Sequence, residues 1–382
     1  MNAASRCARA CALLLWATSS LAPAATATGS RFTIATAPYR FVWPRDHAAH
    51  PGYQSEWWYY TGHLHSSDGH SFGYELTFFR FGLAPGDPGP PPGRSKWRGN
   101  ELYPAHFAIT DETGKTFFYR VRFAREALGM GAASAQTLDV RTDDWTLRGA
   151  PLPGRPMLER MALHAREAAD GGDDAIDLVQ IPRKPPAVHG HGGVSRKAAC
   201  ASCASHYYSY TRLASSGTLE LAGRRYAVTG LSWMDHEFGS AELQSNQAGW
   251  DWFSIQLDDG RELMAYLLRQ KDGSVTPESS GSLIAADGSV RYLPREALHV
   301  SAIGAWKSPH TGAVYPSGWR VQVPAANVDI KLEPTVDDQE LATTSGSVSY
   351  WEGAVSVRDT ATDEPLGAGY VELTGYAQPI SL

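Results

Sequence analysis

The chain has little helical periodicity, few cysteines and no long apolar run beyond its N-terminal leader. Of 382 residues only four are cysteine, and two of them, Cys7 and Cys11, fall inside the first 30 positions. Cys200 and Cys203 remain, in "CASC". Two thiols are too few for a structural zinc site. They also precede the strand-like "HYYSYTRL" rather than opening a helix, where a redox-active pair belongs. A loop disulfide or spectator thiols fit the pair better. No nucleophile elbow of the strand–Gly-x-Ser-x-Gly–helix kind is present, nor a phosphate-cradling glycine loop, nor His-Glu-x-x-His. These absences argue against a serine hydrolase, a nucleotide enzyme and a zincin. A formal charge of −6 with 19% charged residues gives no reason to expect a nucleic-acid partner.

Aromatic residues are abundant: 12 Trp, 17 Tyr and 12 Phe, a composition that suits β-sheets and apolar cavities. Aromatic and β-branched runs recur between "SDGH", "DETGK", "DDGR", "KDGS" and "ADGS". Asp-Gly in such places supplies the positive φ of a hairpin turn, so an all-β fold is expected. "REALGMGAASAQ" (125–136) and "PREALHVSAIG" (294–304) are the modest helical candidates, each interrupted by Gly or Pro. The segments "WWYYTGHLHSSDGHSFGYELTFFR" (57–80) and "WDWFSIQLDDGRELMAYLLR" (250–269) share an aromatic first strand, an Asp-Gly turn and a terminal arginine. That likeness suggests a duplication. Two domains are expected, 45–245 and 246–382, each closing its strands into an antiparallel barrel to hide sheet edges.

The first residues read as an export signal. Arg6 and Arg9 precede the apolar "CALLLWATSSLA", and "APAATA" offers cleavage after Ala24 or Ala27. Residues 1–27 are therefore expected to be removed, leaving a periplasmic or secreted protein. "APGDPGPPPGRSKWRGN" (84–100) reads as a long loop over a barrel mouth. "IPRKPPAVHGHGGVSRKAACASCAS" (181–205), with His189 and His191, reads as a second, solvated loop.

"LSWMDHEFGS" (231–240) concentrates groups that carry chemistry. Extended, it sends Trp233, Asp235 and Glu237 one way and Met234, His236 and Phe238 the other. Two nearby carboxylates and an aromatic wall raise a carboxyl pKa, as a general acid requires. "HYYSYTRL" places Tyr208, Tyr210 and Arg212 on one face, with Tyr207, Ser209 and Thr211 on the other. "SEWWYYTGHLH" sets Glu56 beside Trp57 and Trp58, and puts His63 and His65 on one face as possible metal ligands with Asp235, Glu237 or His106.

"SEWWYYTGHL", "CASHYYSYTRL" and "LSWMDHEFGS", in that order, resemble the family joining AttH-like proteins to the carotenoid 1,2-hydratases (hydroxyneurosporene synthases). The resemblance spans roughly residues 45–380 and lies nearest the exported branch labelled as predicted secreted hydrolases. It implies two lipocalin-like β-barrels in tandem and no cofactor. It also implies an acid in the Trp-x-Asp-His motif, here Asp235, that protonates an isoprenoid double bond. Asp235, His236 and Glu237 are then the expected catalytic residues, with His206 or His236 placing water. Trp58, Tyr60, His206, Tyr208, Tyr210, Trp233 and Trp252 are expected to contact a lipophilic molecule, their faces steadying a tertiary carbocation. Two other readings use the same residues. One is a periplasmic lipid carrier that works with an ABC-type exporter. The other is a metal-dependent hydrolase built on His63, His65, Asp235 and Glu237.

Overall fold

The computed structural model describes residues 31–86, 99–169, 171–240, 243–343 and 348–380. The leader at 1–27 and most of the proline-rich loop at 84–100 lie outside the described residues. Among those described, antiparallel strands dominate and helix is confined to four single 3-10 turns. The two helical candidates are such turns followed by strands: Ala127–Gly129 before Gly131–Ala133, and Arg295–Ala297 before His299–Ala302. Neither offers the unbroken run of good formers that a helix of several turns needs.

The strands form a 13-stranded sheet, a 10-stranded sheet and a small two-stranded one. In the first, Thr116–Arg125, Glu101–Asp111, Ser71–Gly82, Ser55–Ser66, Arg224–Gly239, Ala204–Leu221 and Asp174–Pro182 run side by side. The sheet continues to Gly131–Ala133, which comes back into contact with Thr116–Arg125 and nearly closes a barrel. In the second sheet Val290–Pro294, Ser280–Ile284, Glu262–Gln270, Gln247–Leu257, Pro365–Leu373, Tyr350–Asp359 and Val328–Pro334 follow the same plan. Each sheet sets its last strand beside its first. The two lookalike hairpins occupy equivalent places, and each carries an ion pair near its open end: Glu56 with Arg80 at 3.0 Å, Asp251 with Arg269 at 2.7 Å.

Alternation along the strands sorts side chains into three cores. Inside the first barrel lie Trp58, Tyr60, Tyr74, Phe78, Trp145, Tyr208, Tyr210 and Met234. The concave side of the second sheet buries Phe253, Ile255, Trp319, Trp351 and Val371. A third cluster, with Tyr59, Tyr207, Trp233, Trp252, Tyr266 and Tyr370, lies between the outer faces of the two sheets. Polar groups hold this junction as well. Lys184, just past the Asp174–Pro182 strand, and Arg212, within Ala204–Leu221, both bind the fully buried Glu262, at 2.7 and 2.5 Å.

Candidate active site

The Arg224–Gly239 strand runs between Ser55–Ser66 and Ala204–Leu221 in the first sheet. Register fixes its neighbours: Asp235 lies opposite Tyr59 on one side and Ser209 on the other, and Glu237 opposite Trp57 and Tyr207. All these side chains share a sheet face. They face Trp250, Trp252, Tyr266 and Glu372 of the second sheet across a cavity also lined by Glu75, Phe79, Lys197 and Tyr350. The cavity has a volume of about 100 Å³. That is room for several waters or one compact group, below the roughly 300–1,000 Å³ typical of small-molecule sites.

Asp235 is buried and held by neutral donors alone. Tyr207 donates its phenol to Oδ2 at 2.7 Å, Trp233 its indole N–H to Oδ1 at 2.6 Å, and the Ser209 hydroxyl also bonds Oδ1. Trp252 donates to the Tyr207 oxygen at 3.0 Å. Loss of water pushes the Asp235 carboxyl up to about 7, against the pull of the three donors and with help from Glu237. Behind Ser209 stands His189, with Nε2 2.7 Å from Ser209 Oγ and Nδ1 2.9 Å from Ser282 Oγ. Burial lowers the His189 pKa to about 3, with Lys197 adding to the effect. The ring is therefore neutral at ordinary pH. It accepts from Ser209 when Ser209 accepts the Asp235 proton, so the protonated acid has a satisfied hydrogen-bond arrangement. Glu237 is paired instead, with Lys197 Nζ at 2.6 Å and with the Ser205 hydroxyl.

Three further acids near the cavity carry no motif signal. Glu75 accepts from Thr77 at 2.8 Å and Tyr350 at 3.0 Å. Glu352 accepts from Tyr59 at 2.6 Å, and Glu372 from Trp250 at 2.8 Å. Burial raises all three, Glu75 to about 7 and Glu372 to about 8. His106 bonds the Tyr350 hydroxyl at 2.6 Å, and burial lowers it to about 4.

The expected site residues divide between the two faces. Asp235, Glu237, Trp233 and Trp252 meet at the inter-sheet junction. His236, Trp58, Tyr60, His206, Tyr208 and Tyr210 point to the opposite side of the first sheet, because their parity is even and the strands run straight there. His236 stacks on Trp58 and bonds Glu56 at 2.8 Å and Tyr208 at 3.1 Å. Tyr208 and Tyr210 bond His47, and His206 bonds the Gly193 carbonyl. Tyr207 and Ser209, their odd-numbered neighbours, take the place beside Asp235. Arg212 does not share the Tyr208–Tyr210 face: a bulge between Tyr210 and Leu213 breaks the alternation and sends it to Glu262. His189 corrects the solvated-loop expectation, being 1% exposed, while His191 is exposed. Alternation along the Ala204–Leu221 strand could have nominated Ser209. Nothing local marks His189.

The proposed metal set does not assemble. His63 bonds the Gly369 carbonyl and Glu112, and His65 is exposed beside Ser71. His63 pairs with Leu231, four residues from Asp235 along the strand, or roughly 13 Å. Ser71 lies within a "GHSFG" string (69–73), but it follows a hairpin turn and starts a strand, so no elbow forms. His50, Glu56 and His236 bring three potential ligand atoms within 4.8 Å. Arg80 already neutralises Glu56 there at 3.0 Å, which opposes a further cation. Cys200 and Cys203 are joined as a disulfide in their loop.

The AttH-like profile matches residues 34–376. The chain belongs to the AttH-like family. This AttH-like protein is similar to a Nitrosomonas europaea protein named as AttH, at 34% identity over 90% of this chain and 99% of that one, with a TM-score of 0.78. It also has the fold of kievitone hydratase from Nectria haematococca, at 15% identity over 92% and 97% of the two chains, with a TM-score of 0.65. No curated protein matches it in sequence.

Proposed function

We propose that this AttH-like protein is a hydratase-like enzyme, working without a cofactor, that protonates an alkene carbon of a compact apolar molecule through Asp235. One observation carries this reading. A buried carboxyl, poised near neutrality by desolvation and held only by neutral donors, opens onto an aromatic-lined cavity. The Asp235 proton passes to one alkene carbon, and the π pair forms the new C–H bond. The other carbon becomes a cation facing the indoles and phenols of Trp252, Tyr207 and Tyr59, whose ring faces stabilise positive charge. Water adds through its oxygen and returns a proton to Asp235. The fold shared with a hydratase is consistent with this chemistry and does not assign the substrate. The cavity volume favours a compact reacting group over a long polyene held full-length.

The same reading places the protein outside the cytoplasm after removal of residues 1–27, which N-terminal sequencing of protein from its own cell checks. Native mass spectrometry with organic extraction, run on wild type and Asp235→Asn, tests the chemistry. Species differing by one water between the two preparations support it, with conversion falling by at least about 100-fold in the variant. An identical, unaltered lipid in both preparations replaces the enzyme by a carrier.

A further inference from the structure

The acids around the cavity have more carboxyl groups than counter-charges. Glu352 and Glu372 lie directly opposite each other on neighbouring antiparallel strands and share a face, so their side chains start about 5 Å apart. Glu75 approaches from the first sheet and lines the same cavity as Glu372. Glu75 and Glu352 are each 1% exposed, and Glu372 is half-buried. Oε2 of Glu75 and Oε2 of Glu352 have no hydrogen-bond partner among the described residues. The groups facing them are the phenols of Tyr59, Tyr350 and Tyr370, the indole of Trp250, the neutral His106, and the acids Asp235 and Glu237. Lys197, the lining cation, is held by Glu237. Rings of Trp57, Tyr59, Trp250, Trp252, Tyr266 and Tyr350 complete the wall.

Unpartnered carboxyl oxygens on buried acids beside an aromatic-lined cavity suit a ligand that carries positive charge and apolar groups. We propose that Glu75 and Glu372, backed by Glu352, form a binding site for a compact organic ammonium ion whose alkyl groups pack against the surrounding rings. The positive charge satisfies the acids, and the ring faces add cation–π attraction. An anionic ligand such as a fatty acid is repelled by these acids wherever they are ionised. Binding also releases protons, because a cation favours the ionised form of acids that otherwise hold their protons to about pH 7 and 8. This inference goes beyond the hydratase reading and does not depend on it, since holding an ammonium needs no proton transfer to carbon.

Choline and its neutral isostere 3,3-dimethylbutan-1-ol are titrated calorimetrically into the purified full chain, in phosphate and in HEPES. Choline is expected to bind about ten-fold or more tightly than the alcohol, with a heat that depends on the buffer and an affinity that rises from pH 5 to 8. Glu75→Gln and Glu372→Gln are each expected to weaken choline several-fold and leave the alcohol unchanged, with melting curves verifying that both variants fold. Phosphocholine is expected to bind more weakly than choline. Equal affinity for choline and the alcohol overturns the proposal, as does choline binding that neither substitution affects. Phosphocholine binding more tightly than choline overturns it in favour of a phospholipid headgroup. Conversion lost in Asp235→Asn while choline still binds separates this site's chemistry from its ligand preference.

Discussion

Glu56 and Glu75 stand on adjacent strands of one hairpin, both buried, and their carboxyls behave in opposite ways. Burial alone would raise Glu56, but His50, His236 and Arg80 outweigh it and hold the carboxyl well below the usual range. Burial raises Glu75 to about 7, and its hydrogen bonds from Thr77 and Tyr350 only moderate the rise. The difference is parity. Even-numbered Glu56 points to the first barrel's interior side, where Arg80 lies directly opposite it. Odd-numbered Glu75 points to the junction, where its partners are uncharged. Depth of burial does not set the charge of a carboxyl; the formal charges within reach do. Around Glu56 the barrel side of the first sheet is thus an ionised structural network, and around Glu75 and Asp235 the junction holds acids poised near neutrality.

The largest expected effect breaks the first half of that contrast. Arg80 bonds Glu56, Glu101 and the carbonyls of His50 and Tyr53, so Arg80→Met strands a buried carboxylate and should cost about 3–5 kcal/mol in urea unfolding. Adding Glu56→Gln to that background should recover part of the loss. No recovery would mean that Arg80 acts mainly through the carbonyls. Asp235→Asn should sharpen the second half. The amide replaces a group that is half neutral at pH 7, so stability should move by about 1 kcal/mol or less while conversion collapses. A large loss of stability would make Asp235 a structural residue.

The two classes of acid also predict a pH profile. Asp235, Glu75 and Glu372 keep their protons to about 7, 7 and 8 when folded but release them near pH 4 when unfolded. The folded state binds more protons in that window, so stability falls as pH rises from about 5 to 8. Glu56 has the reverse sign: its contribution is complete above its unfolded pKa and is lost as pH falls below about 4. Melting temperature should therefore peak near pH 5, and Glu372→Gln should flatten the alkaline limb. A flat profile in wild type would show that the junction acids are ionised throughout. The smallest effect belongs to the surface: His65→Ala should change stability by no more than about 0.5 kcal/mol, as thermal melts can verify.

Much of this arrangement was legible in local pattern. Asp-Gly turns between aromatic runs announced the hairpins, and alternation alone separated Asp235 and Glu237 from His236. Alternation also separated Tyr207 and Ser209 from Tyr208 and Tyr210, although it could not tell which face met a cavity. The bulge after Tyr210 left no residue-level mark, so Arg212 read as sharing a face with Tyr208 and Tyr210. The glycine-rich stretch around His189 looked solvated because its burial depends on Ser282, 93 residues away.

The sequence by itself determined the strands, the turns and the pairing of opposite parities, because those follow from backbone geometry within a few residues. It also carried the family, through three motifs whose residues lie on adjacent strands. Only the tertiary structure decided which acids are charged. That depends on the packing of the second sheet against the first, which sets Glu352 and Glu372 across from Glu75 and withholds any counter-charge from them. Electrostatic energy depends on distance in space and on excluded water, and neither quantity is written in the order of residues along the chain.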